Sequence, residues 1–142
     1  MPLIQITFPE ETFRAEQEAQ LAEEATEALL KLEGMAQNPK ARMLTWTYLN
    51  KHPKTTGFVG GKPMHKPHYR FDVTVFENTL NDDRKARLTH ELTECVLRLE
   101  GTDHNVLNAA RVWVLFHEVA DGNWGGAGQI YHLAELMKMM QS

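Results

Sequence analysis

The sequence predicts an α+β fold in which two β-α-β units supply four strands to one sheet, with both long helices on one face. Each half of the 142-residue chain passes from a β-rich segment through a helical segment to a second β-rich segment. A helix that joins two strands of one sheet forms a right-handed parallel unit. Gly34 and Gly101 end the predicted helices at matching places, which indicates an internal duplication. We expect one domain, residues 1–142, with unit one at 1–64 and unit two at 65–142.

In unit one, the apolar run Pro2–Phe8 predicts a buried strand. Phe13–Leu32 predicts a helix, because its apolar residues recur at the 3.6-residue spacing of one helix face. These apolar residues are Leu21, Ala22, Ala25, Ala28, Leu29 and Leu32. The β-branched and aromatic run Met43–Leu49 predicts the second strand. The segment Gly57–Gly61 then predicts a turn.

Unit two repeats this order. Tyr69–Phe76 alternates between polar and apolar residues and predicts a strand. A helix capped by Asn81 or Asp82 follows, with its inward face formed by Leu88, Leu92, Val96 and Leu99. Val112–Phe116 predicts the last strand of the sheet, and glycines at 122–128 predict turns. A short helix over Ile130–Met140 is expected to end the chain.

The predicted sheet carries more apolar residues than one layer of helices is expected to cover. Ile4, Ile6, Leu44, Val73 and Val114 are not all expected to point toward the helices. An apolar sheet face needs a second layer. We therefore expect the other face to be covered by oligomerisation.

Composition excludes several classes of function. The net charge of −4 argues against a nucleic-acid partner, which requires a concentrated basic surface. No apolar run approaches the roughly 20 residues of a membrane span, so no membrane partner is expected. Cys95 is the only cysteine, which excludes an internal disulfide and fits a reducing, cytoplasmic location. Its place in an apolar helical pattern favours a core position over a nucleophilic one.

The amino-terminal dipeptide Met1-Pro2 is the strongest chemical signal in the chain. A small second residue such as proline permits removal of the initiator methionine, which leaves Pro2 with a secondary amine. An α-amino group titrates at roughly 7.7–8.0 when it is unperturbed. Partial burial disfavours the charged form, so the amine can be neutral near pH 7 and can serve as a general base or nucleophile.

Three segments carry a resemblance to a known family: Pro2–Ile6, Val112–Val119 and Ala120–Gly126. The first resembles a family strand that begins with an amino-terminal proline. The others resemble a strand with a tryptophan and the hairpin after it, where an aromatic residue lies over the pocket. With the duplicated β-α-β order, they resemble the tautomerase superfamily. Its single-unit members include 4-oxalocrotonate tautomerase, and its fused members include cis-3-chloroacrylic acid dehalogenase and malonate semialdehyde decarboxylase.

The resemblance implies both an architecture and an activity. The first strands of the two units would pair antiparallel, giving a mixed sheet, and three chains would form a homotrimer. Pro2 would lie at the base of an apolar pocket and act as general base in keto–enol proton transfer on a small-molecule substrate. A hydratase, dehalogenase or decarboxylase of a small unsaturated or keto acid is the alternative. A non-catalytic binding module on the same scaffold is the second. No cofactor is predicted.

The chain departs from the family at the positions that hold a substrate carboxylate. Fused members carry arginines just before the second helix, where this chain has Glu77, Asn78 and Leu80. The activating tyrosine of the dehalogenase falls on Leu115, and the second-strand arginine of 4-oxalocrotonate tautomerase falls on Trp113. These departures keep the binding-module alternative open.

Several other residues are candidates for substrate contact. The predicted substrate-binding set is Arg14, Glu77, Asn78, Trp113, His117 and Trp124. Within it, Asn78 and His117 are candidate donors to an enolate oxygen, and a Glu77 carboxylate near Pro2 would favour the charged amine. Arg70 aligns with the proline position of unit two, at a mirror-image second site. No metal site is predicted, because His90–Glu94 lacks the second histidine of a zinc-binding helix.

Overall fold

The computed structural model describes residues 2–142. Unit one contains four strands and two helices, besides a single 3₁₀ turn at Lys54–Thr56. In chain order they are β1 (Leu3–Pro9), α1 (Ala15–Leu32), α2 (Pro39–Met43), β2 (Trp46–His52), β3 (Phe58–Val59) and β4 (Lys62–Pro63). Unit two repeats this order and adds a last helix. Its elements are β5 (Tyr69–Phe76), α3 (Asp82–Glu100), α4 (Val106–Ala109), β6 (Val112–Val119), β7 (Trp124–Gly126), β8 (Gln129–Tyr131) and α5 (Leu133–Gln141).

Four strands form the central sheet in the order β2-β1-β5-β6. The pairs β1–β2 and β5–β6 are parallel, and the two units join through the antiparallel pair β1–β5. The predicted α+β fold with a mixed four-stranded sheet is therefore confirmed. The antiparallel joint places the start of β1 and the start of β5 at opposite ends of the sheet.

The core lies between the sheet and the two long helices, which pack against each other on the same face. Ile4, Ile6 and Val73 are buried in this core, and Val114 packs against it. The expectation that these residues need both faces of the sheet was therefore wrong, because strand alternation puts all four on the helix side. Leu44 lies outside the strands and packs in a second apolar cluster near α5.

Two predicted element boundaries were wrong for local reasons. The second strand was predicted to start at Met43 but starts at Trp46. Met43 is instead the last residue of α2, a helix that the Asn38 side chain caps and that has Pro39 at its first position. Ile130 lies in β8, not in the last helix, because residues 124–131 form a β-hairpin. Ala127 and Gly128 have φ of 51° and 78° at its tip, as a type I′ turn requires.

The duplication follows a constant offset of 67 positions. Gly34 and Gly101 end the long helices, and Asn38 and Asn105 cap the short helices that follow. Each pair is 67 positions apart in the sequence. The same offset relates Trp46 to Trp113, the inward α1 residues 21, 25 and 29 to the inward α3 residues 88, 92 and 96, and the hairpin tip 60–61 to the tip 127–128.

The sheet face opposite the helices is open. Trp46, Tyr48 and Trp113 lie there at 61%, 53% and 67% exposure, respectively. Between these edge residues, the Asp72 carboxylate accepts hydrogen bonds from the Arg70 guanidinium and pairs with the His117 ring. No helix described here is both long and apolar enough to cross a membrane.

Candidate functional site

Pro2 is buried and lies between two cavities at one end of the sheet. Its carbonyl oxygen accepts a hydrogen bond of 3.2 Å from the backbone N–H of Trp46, which fixes the residue at the start of β1. The first cavity, of about 260 Å³, lies between the end of α1, the start of α3 and α5; we name it the Glu33 cavity. The second, of about 200 Å³, lies under the β7–β8 hairpin and is named the Trp124 cavity.

Four polar side chains line the Glu33 cavity beside Pro2: Glu33, Asn78, Thr79 and Arg84. Glu33 is the residue that caps the carboxyl end of α1. Asn78 lies in the turn after β5 with a φ of 66°, a left-handed conformation that asparagine tolerates. Arg84 lies in the first turn of α3, where its N–H donates to the capping side chain of Asn81. A carboxylate, an amide and a guanidinium therefore converge on one apolar cavity.

The Glu33 carboxyl is the acidic group of this cavity. Burial raises its pKa above the usual value, and the nearby Arg84 guanidinium opposes that shift. An amine on Pro2 would share the cavity with this carboxyl. Because opposite charges favour each other, the Glu33 carboxylate would stabilise the charged form of the amine. Glu33, and not Glu77, is therefore the carboxyl that lines a cavity with Pro2.

Arg84 is the cationic group of the cavity. It takes part in none of the ion pairs formed among residues 2–142, whereas each of the other six arginines does. A guanidinium presents donors in a planar fork that matches a carboxylate. Arg84 is therefore the arginine of this chain best placed to hold an acidic ligand beside Pro2.

The Trp124 cavity supplies an aromatic wall on the other side of Pro2. The Trp124 ring packs against Phe76 with centroids 5.1 Å apart, and Tyr131 also lines the cavity. Trp46 and Leu3 complete the wall from the sheet. A small ligand in contact with Pro2 would therefore meet polar groups on one side and apolar rings on the other.

The structure places two of the predicted substrate-binding residues beside Pro2. Asn78 lines the Glu33 cavity, and Trp124 lines the cavity named after it. Glu77 is exposed at the end of β5 and lines neither cavity. Its neighbour Asn78 is also exposed, but it lines the Glu33 cavity and takes a left-handed backbone conformation with a φ of 66°.

The other three predicted residues lie away from Pro2. Arg14 precedes α1, is largely exposed and pairs with Glu16 at 2.8 Å. His117 lies on the open sheet face, with its Nε2 2.7 Å from an Asp72 carboxylate oxygen. Trp113 lines a different cavity at the opposite end of the sheet.

Sequence reasoning missed Glu33 and Arg84. A signal for Glu33 was present, because the tripeptide Leu-Glu-Gly occurs at 32–34 and again at 99–101. Arg84 was missed because only the residues before the helix were compared with the family arginines. Arg84 lies in the first turn of α3, which is at the same end of the sheet as Pro2.

One group of potential metal ligands occurs within residues 2–142. His90, Glu94 and His104 place their ligand atoms within 4.8 Å of one another, and all three are exposed. His90 and Glu94 lie one turn apart on α3, and the Glu94 carboxylate also pairs with His104. Such surface ion pairs form without a metal. We assign no ion to them.

Comparison with solved structures identifies the fold. A protein inactivated by 2-oxo-3-pentynoate is 21% identical, with a TM-score of 0.75 over 95% of this chain and 98% of that chain. A member of the cis-3-chloroacrylic acid dehalogenase family is 15% identical, with a TM-score of 0.75 over 96% and 89%. A wild-type fused 4-OT, described as an asymmetric trimer, is 18% identical, with a TM-score of 0.72 over 90% and 94%.

These similarities confirm that the chain has the fold of the tautomerase superfamily, as the resemblance implied. No protein-family model matches the sequence, and no curated protein is significantly similar to it. The shared fold spans both units and nearly the whole chain. The chemistry has to be argued from the residues around Pro2.

The placement of Pro2 and Glu33 in one cavity predicts that Glu33 affects the pKa of the Pro2 amine. In protein lacking Met1, Glu33→Gln should lower the titration midpoint of the Pro2 amine, because it removes the carboxylate that favours the charged form. The measurement is a pH series of the ¹⁵N resonance of Pro2. Glu77→Gln is the matched control and should leave the midpoint in place. A midpoint that moves only in the Glu77 variant would contradict the placement of Glu33.

Proposed function

We propose that this chain is a small-molecule tautomerase in which the Pro2 amine, freed by removal of Met1, transfers a proton between carbon and oxygen of an enolisable carbonyl. The observation that carries the proposal is the place of Pro2, which is buried where the Glu33 and Trp124 cavities meet. A terminal amine is an effective base at neutral pH when its surroundings are partly dry. The shared fold with tautomerase-superfamily proteins supports this reading.

The proposed proton transfer uses groups on both sides of the substrate. The neutral Pro2 nitrogen takes a proton from the carbon next to the carbonyl, and the C–H electron pair forms the C=C bond of the enolate. The carbonyl π electrons move onto oxygen, where N–H donors from Arg84 or Asn78 stabilise the negative charge. The Pro2 ammonium then gives this proton to the enolate oxygen, which yields the enol. The Glu33 carboxylate stabilises the ammonium until that transfer.

The cavity favours a small acidic substrate. Its volume of about 260 Å³ suits a molecule of modest size, and Arg84 supplies a guanidinium without a protein carboxylate partner in residues 2–142. The Trp124 side offers a surface on which a conjugated or aromatic group can pack. We therefore propose a small 2-oxo acid, or its enol, as the substrate class.

A second candidate function follows from Glu33. If its carboxylate keeps the Pro2 amine charged at neutral pH, the amine acts as a general acid. The chemistry would then be hydration, dehalogenation or decarboxylation of a small unsaturated or keto acid. If Met1 is retained, Pro2 has no free amine and only the binding-module alternative survives. The mass of the purified chain separates that case from the other two.

We also propose that three chains associate through the part of the open sheet face that carries Trp46 and Tyr48, at the β2 edge. Trp46 and Tyr48 leave large rings exposed there, and the central Asp72 is already neutralised by Arg70 and His117. Exposed apolar area of this kind is typical of an interaction surface. Fused 4-OT proteins with the same fold are described as trimers, which supports three copies as the occupant.

Replacement of Pro2 tests the catalytic role. With phenylpyruvate or 2-hydroxymuconate, Pro2→Ala should lower kcat/KM for ketonisation by roughly 10²-fold or more, the contribution typical of a positioned base. The variant still loses Met1, so the comparison replaces a secondary amine by a primary one at the same place. Equal rates in Pro2→Ala and the parent protein, with intact mass showing Met1 removed from both, would refute the proposal.

Replacement of Arg84 tests how the substrate is held. Arg84→Gln should lower kcat/KM for a 2-oxo acid by about 10–100-fold, because one charge-assisted contact is lost. Arg87→Gln is the matched control, since Arg87 lies one turn further along α3 and pairs with Asp83. Steady-state kinetics on both variants measures the effect. A loss of similar size in the two variants would contradict a specific role for Arg84.

Substitution on the open face tests the trimer. Light scattering should give three chain masses for the parent protein and a lower mass for Tyr48→Arg, because a buried unpaired charge opposes association. Val106→Arg introduces the same charge at an exposed site on α4 and should leave the trimer intact. A monomeric parent protein would overturn this part of the proposal.

A further inference from the structure

A third cavity, of about 370 Å³, lies at the end of the sheet opposite Pro2. Trp113 and Arg70 line it from the open face, Arg111 from the residue before β6, and the β3–β4 hairpin from above. We name it the Trp113 cavity. None of the residues predicted to act with Pro2 lines it except Trp113.

The offset of 67 positions makes the Trp113 cavity the counterpart of the Trp124 cavity. Four residues of the Trp124 cavity, Pro2, Leu3, Leu44 and Trp46, map onto Tyr69, Arg70, Arg111 and Trp113, and all four of these line the Trp113 cavity. The covering hairpins exchange in the same way, because 125–127 of one cavity correspond to 58–60 of the other. The two cavities are therefore duplicated sites that have diverged.

The divergence removes the base. Tyr69, and not Arg70 as predicted from the sequence, occupies the position of Pro2 under the offset of 67. Its hydroxyl donates a 2.6 Å hydrogen bond to Glu100, the counterpart of Glu33. Burial raises the pKa of the Tyr69 hydroxyl, and the Glu100 carboxylate raises it further. A tyrosine in the middle of the chain offers no amine. The proton transfer proposed for Pro2 therefore has no counterpart here.

The divergence also replaces two leucines by two arginines. Two bonds to Asp72 hold Arg70 through Nε and Nη2, which leaves Nη1 for another acceptor. Arg111 directs both Nη atoms at Glu100 and at nearby oxygens, including a 2.6 Å bond to the Pro67 carbonyl. Its Nε is buried and has no hydrogen-bond partner in the described chain. A buried N–H without an acceptor is costly and rare in proteins.

The rest of the lining suits an anion with a flat apolar body. No aspartate or glutamate lines the cavity, whereas His52 and His68 do. Each histidine donates from Nδ1 to a backbone carbonyl 2.9 Å away, so its Nε2 donates to an anion only when the ring carries both protons. Trp113 and Phe58 contribute rings that are 67% and 58% exposed.

From these observations we infer that the Trp113 cavity is a second, non-catalytic binding site for a small aromatic carboxylate. Its carboxylate oxygens accept from the free Nη1 of Arg70, and its ring packs on Trp113. The inference does not depend on the activity proposed for Pro2, because the two cavities lie at opposite ends of the sheet and share no lining residue.

Calorimetric titration with sodium benzoate tests the inference. The parent for this test carries Pro2→Ala and Arg84→Gln, so that binding beside Pro2 is weakened. It should bind one benzoate per chain, and benzamide, which has the same shape without the charge, should bind at least tenfold more weakly. Adding Arg70→Gln or Trp113→Ala should weaken benzoate binding by about tenfold or more, which corresponds to about 1.4 kcal/mol or more.

Trp46→Ala is the matched control, because Trp46 is the counterpart of Trp113 at the other cavity. It should change benzoate affinity by less than about twofold. Absence of benzoate binding to the parent would overturn the inference, as would a neighbouring chain that fills the cavity. Equal losses in Trp46→Ala and Trp113→Ala would also overturn it, because they would place the ligand elsewhere. Arg70→Gln keeps the test independent of Arg111, whose contacts hold the fold.

Discussion

The antiparallel pairing of β1 with β5 is the constraint on which both sites depend. It turns the two β-α-β units head to tail, so the first residue of each unit lies at the opposite end of one sheet. Each unit's hairpin then covers the other unit's first strand: β7–β8 closes over Pro2, and β3–β4 closes over Tyr69. Neither unit could form its cavity alone, since each supplies the floor of one site and the cover of the other.

Duplication on this frame explains how one chain can carry two different sites. The core positions hardly change in character, because both units bury an apolar strand under an apolar helix. Two lining positions change from Leu3 and Leu44 on one side to Arg70 and Arg111 on the other, whereas a tryptophan is kept at 46 and 113. A half-buried carboxylate persists in both: Glu33 lines a cavity with Pro2, and Glu100 accepts hydrogen bonds from Tyr69 and Arg111. In unit one, the Glu33 carboxylate shares a cavity with the Pro2 amine, and we therefore propose that this unit carries the catalytic site.

Sequence patterns were sufficient to predict the strands and helices, because each element has a characteristic local spacing of apolar residues. The apolar run of β1, the alternation of β5 and the 3.6-residue spacing in α1 and α3 gave the strands and the single helix layer. The antiparallel joint that makes the sheet mixed came from the resemblance. Sequence patterns also led to Pro2, whose special chemistry is written in the dipeptide. Glu33 could not be found in that way, since thirty residues, among them β1 and the whole of α1, separate it from Pro2 and only packing brings them together. Glu77 and Asn78 were both predicted to contact substrate, and the sequence could not separate them, because the φ of 66° at Asn78 is not visible in the residue pattern.

We propose that the protonation of the Pro2 amine, whose pKa the Glu33 carboxylate raises, controls the reaction. The most direct measurement is the pH dependence of kcat/KM for phenylpyruvate, set beside the Pro2 titration in the same protein with and without Glu33→Gln. We expect the midpoint of the pH dependence of kcat/KM to coincide with the titration midpoint of the Pro2 amine in the parent protein. Both midpoints should be lower in Glu33→Gln. A kinetic midpoint that stays fixed while the amine midpoint moves would contradict this proposal, and would assign the reaction to another group.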